Sequence, residues 1–194
     1  MRFTETLDTS SDADAIPMMW FPESLDYEQH GELVEISVDG ETRLALASLI
    51  HMAEIFTSQK EERTRWGHDC GVFAYACETG HDLAHINFHL PGAYNLGVDK
   101  IDVKGDGNPS HLADTRPGEI VFTEDAKPGD DDFFSNTPHF LVRATVDDGE
   151  PLYLSKFSTS GSIALSTIER SLEVYPAQTL GTISGIHILP PDER

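Results

Sequence analysis

The stretch His139-Phe140-Leu141-Val142-Arg143-Ala144-Thr145-Val146, followed by Asp147-Asp148-Gly149 and then by Leu152-Tyr153-Leu154-Ser155-Lys156-Phe157, reads as strand, turn and strand. Both runs are rich in β-branched and aromatic residues, and the acidic Gly-containing break between them is turn chemistry. A hairpin of this kind commits its part of the chain to antiparallel pairing. Just upstream, Pro117-Gly118 is a turn, and Glu119-Ile120-Val121-Phe122 is a further short strand. Downstream, Ser158 to Ser162 reads as a strand-to-strand turn and Ser166-Thr167-Ile168-Glu169 as a capping box opening a helix to about Val174. Thr182 to Leu189 suits a last strand.

The earlier half of the chain has another pattern. Glu32 to Val38 alternates, Asp39-Gly40 is a hairpin turn, and Glu41 to Leu46 returns. Ala47 to about Gln59 places Leu49, Ile50, Ala53 and Ile55-Phe56 at helical spacing, and the charged run Lys60 to Arg65 is expected to end that helix. Asp69 is a good N-cap for a short apolar helix from Cys70, with Gly80 as its stop. Helices first and a meander of strands afterwards indicate an α+β fold, with N-terminal helices packed on an antiparallel β-sheet. Residues 1–16 read as a flexible acidic tail and 17–194 as a single domain. That domain carries an N-terminal hairpin and a loop-rich insert near 81–136, with a short helix expected around 82–90.

Composition narrows the function. Among 194 residues there are 13 Lys plus Arg against 34 Asp plus Glu, a net charge of −21. Such a chain cannot bind a phosphate backbone or an anionic membrane surface electrostatically. No run of 18 apolar residues is present to span a bilayer. The start Met1-Arg2-Phe3-Thr4-Glu5 lacks secretory-signal character, so the default expectation is cytoplasmic, with a dedicated export route as the exception. Cys70 and Cys77 sit seven apart on one expected helix and should be free thiols.

Cys70 follows the expected N-cap, where unpaired amide N–H groups and the helix dipole favour the thiolate that cysteine hydrolases use as nucleophile. Gly71 keeps the approach to the sulfur open, while the Asp69 carboxylate pushes the thiol pKa upward. His139 opens a strand and can serve as the base that takes the thiol proton and returns it to a leaving amine. A separate stripe, Cys77-His81-His85-His89, has four-residue spacing and would suit zinc on a helix; no HExxH is present, and a polar loop or strand face is the alternative.

The order of these features resembles the NlpC-type cell-wall peptidases and amidases, a compact branch of the papain-like cysteine hydrolases. There an Asp-Cys pair opens a helix, as Asp69-Cys70 does; a Pro-Gly-Asp strand follows, matched by Pro117-Gly118-Glu119; a His begins the next strand, matched by His139. A third polar residue sits on the strand after that, and Ser155 holds its place, with Lys156 as a rival on the opposite face. The resemblance covers about residues 45–190. It implies a papain-like core, a cysteine peptidase or amidase needing no soluble cofactor, and a peptide or peptidoglycan-like substrate. The catalytic set would be Cys70, His139 and Ser155, with the Cys70 amide and His68 as oxyanion donors. The chain departs from the family in having Gly71 directly after the cysteine and a neutral Ser155 as third residue. A non-catalytic binding module using the 81–136 loops is the alternative from another class.

Overall fold

The computed structural model describes residues 18–20, 27–65, 68–80, 115–124, 139–157, 161–174 and 179–183. A three-stranded antiparallel sheet comes first: β2 (Glu28–His30), β3 (Leu33–Val38) and β4 (Glu41–Leu46), in that order. The β3–β4 turn has positive φ at both Asp39 and Gly40, 51° and 83°, the two-residue hairpin geometry that an Asp-Gly pair favours. Three helices follow: α1 (Ala47–Ser58), α2 (Lys60–Arg65) and α3 (Cys70–Thr79).

The second sheet takes strands from both ends of the chain. Its members are β1 (Met18–Trp20), β5 (Ile120–Glu124), β6 (His139–Arg143), β7 (Tyr153–Lys156), β8 (Ile163–Ser166) and β9 (Thr179–Ile183). They lie in the order β1-β8-β7-β6-β5-β9, every neighbour antiparallel. A short helix, α4 (Ile168–Val174), separates β8 from β9. The fold is therefore α+β with antiparallel sheets. No helix among the described residues is long and apolar enough to cross a membrane.

Alternation along the large sheet sorts its side chains into two layers. Ile120, Phe140, Val142, Leu154, Ile163 and Leu165 pack with Leu49, Ile50 and Phe56 of α1 and with Cys70, Val72 and Phe73 of α3. On the other face Val121, Leu141 and Tyr153 pack with Ile168 of α4. The two sheets are stitched where β4 meets the end of β6: Leu46 N–H donates to Ala144 O at 3.0 Å, and Val146 N–H to Leu44 O at 2.9 Å. Arg43 grips Asp147 across the same seam, Nη2 to Oδ1 at 2.7 Å, and also donates to the Glu150 carbonyl at 2.7 Å.

Several expectations need correction. The strand from His139 stops at Arg143 rather than Val146: Ala144 N–H still donates to Leu152 O at 2.8 Å, but Ala144 O and Val146 N–H bond β4, with Thr145 in a bridge to Ala45. The helix from Ala47 ends at Ser58, close to the expected Gln59, but the charged run Lys60 to Arg65 that follows is itself helical and forms α2. Glu61 and Glu62 lie in the first turn and Arg63 and Arg65 in the last, which complements the dipole, and Arg63 N–H donates to Gln59 O at 2.9 Å. The cap of α4 is Thr167, not Ser166: Thr167 Oγ1 accepts from Arg170 N–H at 3.2 Å, while Ser166 Oγ shares a 2.8 Å bond with Ser171 Oγ. The last strand begins at Thr179, three residues before the expected Thr182. The expected tail at 1–16, the helix at 82–90 and nearly all of the 81–136 insert lie outside the described residues, save Thr115–Glu124.

Candidate active site

Asp69 builds the Cys70 end of the candidate site. Its carboxylate accepts from Gly71 N–H at 2.9 Å and Val72 N–H at 3.1 Å, so it caps α3 as the sequence indicates. Gly80 closes the helix in the left-handed region at φ 68°, its N–H on Ala76 O. Cys70 is thereby the first helical residue, and its side chain is 9 % exposed. The backbone amides of Phe140, Gly71 and Cys70 itself act on its sulfur in the direction that favours a thiolate.

Those donors do not prevail. Burial pushes the Cys70 thiol up to about 12, and the Asp69 carboxylate adds to the rise. The expected helix-terminus depression of the thiol is overturned, because desolvating a thiolate outweighs the amides that face it. Asp69 is itself raised, chiefly by burial, against the pull of the Val72 and Gly71 amides and Lys156. Cys77 is also free; it is half-buried, and burial raises its thiol. Its expected zinc partners His81, His85 and His89 lie outside the described residues, and no cluster of three metal-ligating side chains occurs among those described.

The imidazole's end of the site is a second construction. His139 is 3 % exposed, and its Nε2 lies 2.8 Å from Ser155 Oγ. Ser155 donates its only hydroxyl proton to the Phe140 carbonyl at 2.8 Å. The serine oxygen must therefore accept from Nε2–H, which leaves Nδ1 with the lone pair. Phe157 supports the ring from the side, centroids 5.1 Å apart. Burial pulls the imidazole down to about 3, so the resting ring is neutral.

Phe140 joins the two ends. Its amide N–H serves Cys70 and its carbonyl serves Ser155, while the His139 ring is the preceding side chain. By alternation His139 and Ser155 belong to the α4 face, with Leu141 and Tyr153, whereas Cys70 belongs to the α3 face, with Phe140 and Leu154. The β6–β7 ladder runs through Val142–Leu154 and Arg143–Tyr153, and nearer His139 the Ser155 hydroxyl takes the place of a ladder bond. By this alternation the Cys70 sulfur and the His139 imidazole lie on opposite faces of the large sheet, with the His139–Phe140 backbone between them.

His68 is fully buried, in tilted contact with Phe56, centroids 6.0 Å apart. Its Nδ1 accepts from Arg63 Nη1 at 3.3 Å, which makes Nε2–H its donor. Arg63 is likewise fully buried; its guanidinium lies 4.2 Å from the Phe56 ring centroid and donates to Gln59 Oε1 at 2.5 Å.

Lys156 is the residue that sequence reasoning undervalued. It is 1 % exposed, and its Nζ donates to Gly161 O at 3.2 Å. It does face away from Ser155, but that face carries Cys70, and its ammonium is electrostatically coupled to both Asp69 and Cys70. Burial lowers it to about 8, with Lys60 and Arg63 adding to the fall. The strand alternation that excluded it from the third role was the signal that could have placed it here. No family model, curated protein or solved structure matches this chain.

Proposed function

We propose that the chain is a cysteine hydrolase that cleaves an amide or peptide bond through a thioester, on a papain-like arrangement of α3 against the large sheet. Cys70 is the nucleophile, His139 the base and then the acid, and Ser155 the residue that holds the imidazole. The observation that carries this reading is the Ser155 hydroxyl, whose own proton goes to Phe140 O so that its oxygen accepts from His139 Nε2–H. A neutral ring with its lone pair at Nδ1 is what a neutral thiol needs from its partner.

On this reading Nδ1 takes the thiol proton as sulfur attacks the carbonyl carbon. The C–N bond then breaks, the imidazolium gives its proton to the departing amine, and water hydrolyses the thioester by the same route in reverse. The Cys70 amide and His68 are the candidate oxyanion donors. The resemblance to NlpC-type enzymes supports a wall-peptide or related peptide substrate.

The test is amine release from a panel of simple amides and murein-type peptides, with intact-mass detection of an acyl adduct. The proposal expects release and an adduct on Cys70, both absent in Cys70→Ala; release that persists in that variant, or no release from any member, contradicts it. One observation favours a second reading, a papain-like module that binds without turnover: Cys70 is 9 % exposed and its thiol is held protonated. That module would bind the peptides with unchanged affinity in Cys70→Ala and release nothing.

A further inference from the structure

Three charged or polarisable groups meet at the start of α3, and only Cys70 and Asp69 are accounted for by the proposed hydrolase, on which this inference rests. We propose that Lys156 is a positioning residue that supplies the counter-charge for the Cys70 sulfur as it becomes anionic. The geometry is that of a buried ammonium on the α3 face of β7, beyond Leu154, tethered to the Gly161 carbonyl and coupled to Cys70.

The need for such a cation follows from the surroundings. A thiolate here forms in a desolvated place beside a carboxylate, and both oppose it. The neutral imidazole provides no charge until it has taken the proton. Among the described residues, the charged groups acting on Lys156 are Asp69 ahead of α3, Cys70 on α3, and Lys60 and Arg63 on α2. Lys60 is exposed and held to Ser162 Oγ at 2.9 Å, and Arg63 is committed to Phe56, Gln59 and His68. Lys156 is coupled to Asp69 first and to Cys70 second, and in a chain of net charge −21 the grouping of three cations at this point stands out against the prevailing sign.

The test is the rate constant for alkylation of Cys70 by a small neutral reagent, read by peptide mass mapping across pH. It is measured in wild type, Lys156→Gln and Lys156→Arg, each first checked for fold by circular dichroism. Gln should slow the reaction roughly tenfold at neutral pH, the effect of one unit in thiol pKa, and Arg should restore it. The wild-type rate should also lose its support above about 8, where Lys156 gives up its proton, and Arg should remove that downturn. If Gln does not fold, Met against Arg is the comparison. The same Gln substitution made in Asp69→Asn separates direct from indirect action: a slowing that persists is direct, and one that vanishes means Lys156 serves only Asp69 and overturns the inference. Equal rates in wild type and Lys156→Gln overturn it as well. These rates need no substrate, so a Lys156 effect without amine release fails the hydrolase alone, and release with no Lys156 effect fails the counter-ion alone.

Discussion

Ser155 on β7 accepts a hydrogen bond from His139 on β6, Oγ to Nε2 at 2.8 Å, because its own proton is committed to the Phe140 carbonyl. One hydroxyl thus fixes the tautomer of a buried imidazole without any charge. A carboxylate in its place would favour imidazolium; the serine leaves His139 neutral, with its lone pair at Nδ1.

Ser155→Ala removes both bonds at once. The buried Nε2–H and the Phe140 carbonyl lose a partner, at a cost of about 1–3 kcal/mol in urea unfolding. Amine release should fall about tenfold or more, mainly in kcat, since the ring can then adopt the wrong tautomer. Side-chain nitrogen NMR of His139 would show Nε2–H alone in wild type and a mixture in the variant.

Asp69 has two separable roles. Asp69→Asn keeps the cap, because an amide oxygen can accept from the Gly71 and Val72 amides, and it removes the carboxylate that raises the Cys70 thiol. Alkylation of Cys70 at fixed pH should therefore speed up with no loss of thermal stability. Asp69→Ala makes the same electrostatic change but loses the cap, and should cost about 1 kcal/mol.

Acid should weaken the fold through two groups. Burial alone would raise Asp147, but the Arg43 bonds and the Leu44 amide hold its carboxyl below the usual range. Its contribution is present above the unfolded carboxylate range of about 4 and is lost as pH falls through the folded value. His139 is also depressed, to about 3, so its contribution is present above the unfolded value near 6.5 and is lost as pH falls toward the folded one. Thermal melts should decline between those limits, and His139→Gln should flatten the decline. Arg43→Ala should cost roughly 2–3 kcal/mol near neutrality, as a charged partner is lost, and should shrink the Asp147 contribution to the acid limb.

Much of this was legible in the residues. The runs from His139 and from Leu152 announce their strands through apolar alternation, Asp39-Gly40 announces its turn, and Asp69 and Gly80 bracket α3 by cap chemistry. Strands of three residues, Met18–Trp20 and Glu28–His30, are too short to show a period and exist through their partners. The helix at Lys60–Arg65 was hidden because a string of charged residues looks solvated, yet Arg63 is buried against Phe56. The site shows the same division. The family resemblance proposed Cys70, His139 and Ser155, but the desolvation that raises the thiol and the coupling of Lys156 to Asp69 and Cys70 arise from packing between α3 and β7.

The central proposal is that His139 takes the Cys70 proton as the sulfur attacks. At rest the thiol, pushed up to about 12, keeps its proton and the imidazole, pulled down to about 3, is neutral, so on this reading the proton moves only as the sulfur attacks. The most direct measurement is the pH dependence of Cys70 alkylation, resolved from Cys77 by peptide mapping, in wild type and His139→Ala. The account predicts a rate for Cys70 that is flat from about pH 5 to about 7.5 in wild type, and one that climbs about tenfold per pH unit in His139→Ala, as an unassisted thiol does. A wild-type Cys70 that climbs with the same slope as Cys77, unchanged by His139→Ala, would contradict it.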